Sequence, residues 1–423
     1  MYKKTRLDNG LKIIAHHMPH MQSLALGIWI NVGGRYESSA NKGISHFLEH
    51  LLFKGSKKYS CRKIKESIEG VGGSLNGFTS EELTCYLVKI PADYLESALS
   101  VLSDMVINPT LPGIEIEKEK PVILEEIKMY KDLPQSYVHE LLDELLWPNQ
   151  ALGAPIIGTV DSVKEITRDR LHLFKEEYYT APNIVVSAAG FLDYKKLIKN
   201  VVEIFSSLGN KQGRNVFIRA KEEQKIPQLK VLDKHTEQMH LALGFHGLKR
   251  DHPLKHALGI LNIILGANMS SRLFNELREK RGLAYEIGTH VKRLEDTGSF
   301  VVNAGIDNHK VLEAIRLILK ELKKIKEQLV SKDEFLRAKE FYVAQLKLAL
   351  EDTLDHMLWI GEATCTLDKT YTLSDIIKEV RTTKREDIRR VAQYVFQEKN
   401  LNLALIGPLK DIEQDIYKEL KIG

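Results

Sequence analysis

The chain repeats itself, and the repeat limits what it can fold into more than any other feature. Ala25-Leu26-Gly27-Ile28 returns as Ala242-Leu243-Gly244-Phe245, each followed by a polar loop and an amphipathic helical pattern. His46-Phe47-Leu48 aligns with His256-Ala257-Leu258, and Leu95-Glu96-Ser97-Ala98 with Leu312-Glu313-Ala314-Ile315, the offset staying between 210 and 219 residues. At 423 residues the chain exceeds what one core organises, so two copies of one module are expected. The periodicity breaks near Ser206 to Pro227, at Gly209, Asn210, Gly213 and a charged stretch. This predicts modules over 1–210 and 227–423 joined by a linker at 211–226. Short β-branched runs such as Ile184 to Ala188 alternate with long helical patterns, which predicts an α+β class: each module an antiparallel or mixed sheet with helices packed on it.

The first copy carries chemistry at His46-Phe47-Leu48-Glu49-His50, inside a helical pattern. Positions i and i+4 share a helix face, so both imidazoles can reach one metal, and Glu49 lies close enough to act as a base. The spacing is that of the H-E-x-x-H zinc motif read backwards, with the carboxylate beside the second histidine. A hydrolytic zinc wants three protein ligands and an open position, which two histidines do not supply. The acidic helical stretch Glu115 to Tyr130 offers Glu117, Glu119, Glu125 and Glu126. Glu119 and Glu126 stand two turns apart on one face, so one could bind metal while the other holds a ligand or the base in place. Glu117 and Glu125 read as solvated helix face.

Several blocks resemble one family in order: Gly27-Ile28-Trp29, Gly33-Gly34-Arg35-Tyr36-Glu37, Gly43, His46 to His50, Phe53-Lys54-Gly55, Gly72 through Thr79, and Glu119 through Glu126. The family is that of the inverted-motif zinc peptidases typified by pitrilysin and the mitochondrial processing peptidase, and the chain looks like a half-length, bacterial-type member. The resemblance covers essentially the whole chain. It implies that Glu126 is the third zinc ligand, that Glu119 is the helper carboxylate, and that the two modules form one half of a clamshell.

The copies differ where chemistry would be lost. Under the repeat alignment Glu49 becomes Gly259, His50 becomes Ile260 and Glu126 becomes Gln345, so the second module is not expected to hold this metal. His252 and His256 form another i, i+4 pair, but no carboxylate lies between them and Pro253 suggests a helix start. His16, His17, His20, His235, His240 and His246 read as surface or strand histidines. The second module instead carries Arg278 and Tyr285, which match an arginine and a tyrosine that the family uses against the substrate near the scissile bond. A guanidinium and a phenol donate hydrogen bonds to a carbonyl oxygen that becomes negative as the tetrahedral intermediate forms. Read alone, Arg278 is a helix-surface partner of Glu276 or Glu279. The segment Asn76 to Lys89 alternates like a strand, and a free strand edge beside a metal would take an extended peptide by β-addition. The resemblance implies that Asn76 bonds the substrate backbone; read alone it is a turn residue before an internal strand.

These features predict a zinc endopeptidase acting on peptides or unfolded protein segments, with His46, His50 and Glu126 on Zn2+ and Glu49 as base. The rivals are a non-catalytic scaffold or regulatory subunit of the same fold, and a carboxylate-histidine iron oxidase, which offers no reason for Arg278 and Tyr285. Large members of the family carry four such modules, with the zinc in the first and the arginine and tyrosine in the last. A chain of two modules that carries both sets predicts a homodimer with shared sites. A net charge of +4 without a tight basic block argues against nucleic acid, and the absence of an 18-residue apolar run argues against a membrane span. Three cysteines without C-x-x-C spacing and an N-terminus without an apolar targeting segment predict a cytoplasmic enzyme.

Overall fold

The computed structural model describes residues 2–209, 213, 217–408 and 412–422. Asn210 and part of the expected linker, 211–212 and 214–216, lie outside the described residues. The first sheet has six strands: β1 (Tyr2–Arg6), β2 (Lys12–His17), β3 (Ser23–Ile30), β4 (Ser74–Thr79), β5 (Thr84–Pro91) and β6 (Ile184–Gly190). The second has five: β7 (Gln228–Asp233), β8 (Met239–His246), β9 (Ala284–Arg293), β10 (Gly298–Ile306) and β11 (Asn402–Gly407). Their spatial orders are β1-β2-β6-β3-β5-β4 and β7-β11-β8-β10-β9. Without β1 the orders correspond strand for strand, and in both the pair at the same end is parallel, β2 with β6 and β7 with β11, while the rest are antiparallel. The repeat is therefore a repeat of structure, and the α+β class with two mixed sheets stands. Aligned helices follow suit: Ile44–Leu52 with Lys255–Leu265, and Leu95–Ile107 with Val311–Glu327.

The compact units do not follow the linear cut. One comprises 1–128, 155–218 and 347–373; the other comprises 129–154, 219–346 and 374–423. Two helices change sides. Thr353–Leu367 packs Met357 and Ile360 into one core with Ala25, Trp29, Val185 and Ala189 of the first sheet. Pro134–Leu146 packs Val138, Leu141 and Leu142 with Ala242, Val301 and Ala404 of the second. Small residues on the sheet make room for each helix. A methyl group on Gly27 would sit 2.6 Å from Met357 Sδ, and one on Gly244 would sit 2.8 Å from Leu142 Cδ2. The recurring Ala-Leu-Gly that exposed the repeat is thus the floor on which an exchanged helix lies. A cut made from contiguous periodicity misses an exchange of this kind, because the helices leave their own module's sequence for the other sheet.

The opposite face of the first sheet carries the larger core, where Leu26, Ile28 and Tyr86 meet Phe47, Leu48 and Leu51 from the helix Ile44–Leu52. Full burial of such side chains stabilises by about 1.5–3 kcal/mol each, which pins that helix beneath the sheet. The segment read as one strand from Asn76 to Lys89 is a hairpin. Residues 80–83 turn the chain, Asn76 pairs with Leu87, and β4 alone forms the edge. Among the described residues no helix is long and apolar enough to cross a membrane.

Candidate metal centre

Every residue of the histidine motif lies on Ile44–Leu52, whose start is fixed by a carboxylate from upstream. Glu37 accepts the backbone N–H of Gly43 at 2.7 Å and of Ser45 at 2.8 Å, satisfying donors that a helix N-terminus leaves open. Burial pushes this carboxyl up to about 7 against the pull of those two N–H groups. Gly43 turns into the helix at φ 85°, and a methyl there would meet the Ile157 carbonyl at 2.6 Å, so glycine is needed on both counts.

The helix directs His46 and His50 to one side, their ring centroids 4.6 Å apart. Facing them is the 20-residue helix Gly113–Asp132 with Glu119 and Glu126. Glu126 places Oε1 3.9 Å from His46 Nε2 and Oε2 3.7 Å from His50 Nε2. These three donors lie within 4.8 Å of one another and form the one group among the described residues that could hold a metal ion. Two imidazole nitrogens and a carboxylate oxygen are the donor types that would hold a zinc ion. Glu119 Oε1 lies 2.9 Å from His50 Nδ1, and Lys54 Nζ lies 2.6 Å from Glu119 Oε2. With Nδ1 committed to Glu119, His50 is left with Nε2 for a metal. The donor set therefore fits a divalent transition metal, and the neighbouring carboxylate orients one of the ligands.

The electrostatics of these side chains agree. Burial, and then His50, pushes His46 down to about 4, which keeps its lone pair free at neutral pH. Burial would lower His50 too, but the hydrogen bond to Glu119 and the charges of Glu126 and Glu49 outweigh it, and the net shift is upward. Glu49 is 8 % exposed; burial raises its carboxyl, while Thr79 Oγ1, donating to Oε2 at 2.7 Å, pulls the other way. Burial raises Glu126 as well. Glu119 ends below its ordinary value, because His50 and Lys54 overcome the desolvation.

Glu117 and Glu125 turn outward to Lys120 and Lys128 at 2.8 and 2.6 Å, as solvated helix face. Asn76 is exposed on edge strand β4, with its Oδ1 accepting the adjacent Gly77 N–H at 2.8 Å. Arg278 lies on the π-helical segment Phe274–Glu279 of the other unit, its guanidinium 4.8 Å from the Phe274 ring and 5.6 Å from that of Tyr285. Glu276, one of the two helix-surface partners expected for Arg278 alone, pairs instead with Lys280 and Arg281. Tyr285, at the start of β9, is 75 % exposed. Sequence reasoning singled out neither Thr79, Lys54 nor Glu37 for a role, although all three stand in the quoted blocks. For Thr79 a signal existed: Gly77 and Thr79 alternate with Asn76 and therefore share the other face of the strand.

At the matching place in the second module, His256 Nε2 bonds Glu379 at 2.8 Å, and His256 Nδ1 is 3.4 Å from the Tyr342 hydroxyl. A methyl on Gly259 would stand 2.9 Å from the Tyr342 ring, so a phenol fills the volume that Glu49 occupies in the first module. His252 Nδ1 accepts the Leu254 N–H just before the helix begins at Lys255.

Comparison with known proteins follows this division. Residues 12–160 match the family described as Insulinase (Peptidase family M16), and residues 165–342 match the Peptidase M16 inactive domain. The chain belongs to the M16 peptidase family, as a half-length member. It is 37 % identical to the uncharacterized zinc protease YmxG of Bacillus subtilis, over 96 % of this chain and 98 % of that one. It is 36 % identical to an uncharacterized zinc protease of Streptomyces coelicolor, over 97 % and 90 %. A crystal structure of a protease from Helicobacter pylori shares the fold with a TM-score of 0.91 at 23 % identity, covering 96 % of this chain and 99 % of that one.

Proposed function

We propose that the chain is a zinc-dependent endopeptidase that hydrolyses peptides or unfolded protein segments. The observation that carries this reading is the convergence of His46, His50 and Glu126 beside a buried Glu49. Zinc would be held there by His46, His50 and Glu126, and would supply Lewis acidity to the hydrolysis. Glu49 takes the proton of the attacking water and returns it to the leaving amine, work for which its place beside the donor set suits it. Glu119 orients His50. The free edge of β4 pairs with an extended peptide, and Asn76 reaches its backbone, so only unstructured chain can enter. Arg278 and Tyr285 donate to the carbonyl oxygen as it gains charge. The protein works as a two-fold homodimer, the zinc of one subunit completed by Arg278 and Tyr285 of its partner, since one chain holds two modules and both sets of residues. A cytoplasmic location is supported by Cys61, Cys85 and Cys365, which form no disulfide among the described residues.

The test is hydrolysis of an unstructured, internally quenched fluorescent peptide. Cleavage should disappear on chelation and return with added zinc. Zinc-loaded protein that cleaves no unfolded substrate would favour a scaffold of the same fold.

A further inference from the structure

The edge strand β4 touches the base as well as lying open to solvent. Gly77 and Thr79 point to one face of the strand, and both meet Glu49. The Thr79 hydroxyl donates to Oε2 at 2.7 Å, and a methyl on Gly77 would stand 3.3 Å from Oε1 and 3.1 Å from the Phe53 ring. One carboxylate oxygen is therefore held by a hydrogen bond, and the other is given room by a missing side chain. Asn76 and Phe78, on the alternate positions, are exposed. The only strand paired with β4 among the described residues is β5, so no strand covers its other edge.

We infer that Thr79 is a positioning residue for Glu49, and that β4 thereby registers a peptide on its free edge against the base. This rests on the endopeptidase reading above. A peptide paired with β4 takes its position along the strand from the same backbone that carries Thr79. Strand and base are coupled, because the Thr79 hydroxyl ties Glu49 to β4 at 2.7 Å. A buried carboxylate stripped of its donor loses both its preferred rotamer and a charge-assisted hydrogen bond.

Thr79→Val keeps the shape and removes the donor; Thr79→Ser keeps the donor. For Thr79→Val, kcat should fall at least about tenfold while KM stays within about twofold. Zinc affinity by chelator competition should not change, and neither should the Kd of the zinc-free protein for an unlabelled extended peptide that displaces a fluorescent one. Thr79→Ser should recover most of kcat, and a crystal structure of Thr79→Val should show the Glu49 carboxylate displaced. Unchanged kcat in an otherwise active enzyme, or a Glu49 carboxylate that stays in place, overturns the inference; so does a loss of kcat matched by a loss of zinc or of peptide affinity. A wild type that hydrolyses nothing, combined with a displaced Glu49 in the variant, would remove the endopeptidase reading while keeping the positioning role.

Discussion

At the scale of single residues, the difference between a ligand and its helper is decided by which atom each can reach. Glu126 faces the Nε2 atoms of both histidines, whereas Glu119 is occupied by His50 Nδ1 and Lys54. Glu119→Gln keeps the shape but weakens the acceptor, so zinc affinity should fall roughly 10 to 100-fold, measured by competition with a chelator of known affinity. Unchanged affinity would make Glu119 a purely structural partner of Lys54. The histidines and Glu49 were legible in the sequence because one helix carries all three at i, i+3 and i+4. Spacing alone could not choose between Glu119 and Glu126, since both share a face of the same helix; the family resemblance made that choice. The alternation of β4 placed Thr79 on the face opposite Asn76, but that it meets Glu49, and that Lys54 meets Glu119, depends on packing between elements distant in sequence.

At the scale of elements, the exchanged helix Thr353–Leu367 is fastened to the first sheet partly by histidines that must stay neutral. His356 stacks on His16 of β2 with centroids 4.4 Å apart and planes 10° from parallel, and its ring nitrogens meet the Leu350 carbonyl and the Tyr2 hydroxyl at 3.0 Å each. Burial first, and then His356, pushes His16 from 6.5 down to about 4. A histidine whose folded pKa is depressed takes up its proton first in the unfolded chain. Its contribution is thus fully present above about pH 6.5 and is lost progressively as the pH falls towards 4. The buried Nδ1 of His16 has no hydrogen-bond partner, so His16→Phe keeps an aromatic ring in the stack while removing the titration. In chelator, to silence the metal site, the fall in Tm from pH 7 to pH 4 should be smaller in His16→Phe than in wild type; an equal fall would assign the acid sensitivity elsewhere. The strand at Ile184 to Ala188 and the helices of the histidine motif and of Glu119 and Glu126 were legible from β-branched runs and apolar periods. The exchange of helices was not, because periodicity reports that a helix has an apolar face without reporting which sheet covers it. Ala25 with Gly27 and Ala242 with Gly244 were visible as a repeat, yet their role as a close-packing floor appears only with the helix in place.

At the scale of the whole molecule, the duplication has left one module with the metal donors and the other with Arg278 and Tyr285. Under the homodimer proposal, mixing Glu49→Gln with Tyr285→Phe subunits should form some dimers with one intact and one doubly damaged site. Activity should then rise above that of either variant alone. An active monomer at assay concentration, or no recovery after demonstrated subunit exchange, would show that each chain works by itself. The claim on which all the rest depends is that the first module holds a zinc beside its own base. Glu49→Gln, assayed for zinc content and peptide hydrolysis on the same preparation, tests it most directly. The expected result is a wild-type complement of zinc with hydrolysis reduced by at least about 10²-fold, as for loss of an acid–base group. Hydrolysis at the wild-type rate in Glu49→Gln, or a wild-type protein that hydrolyses peptide without zinc, would contradict it.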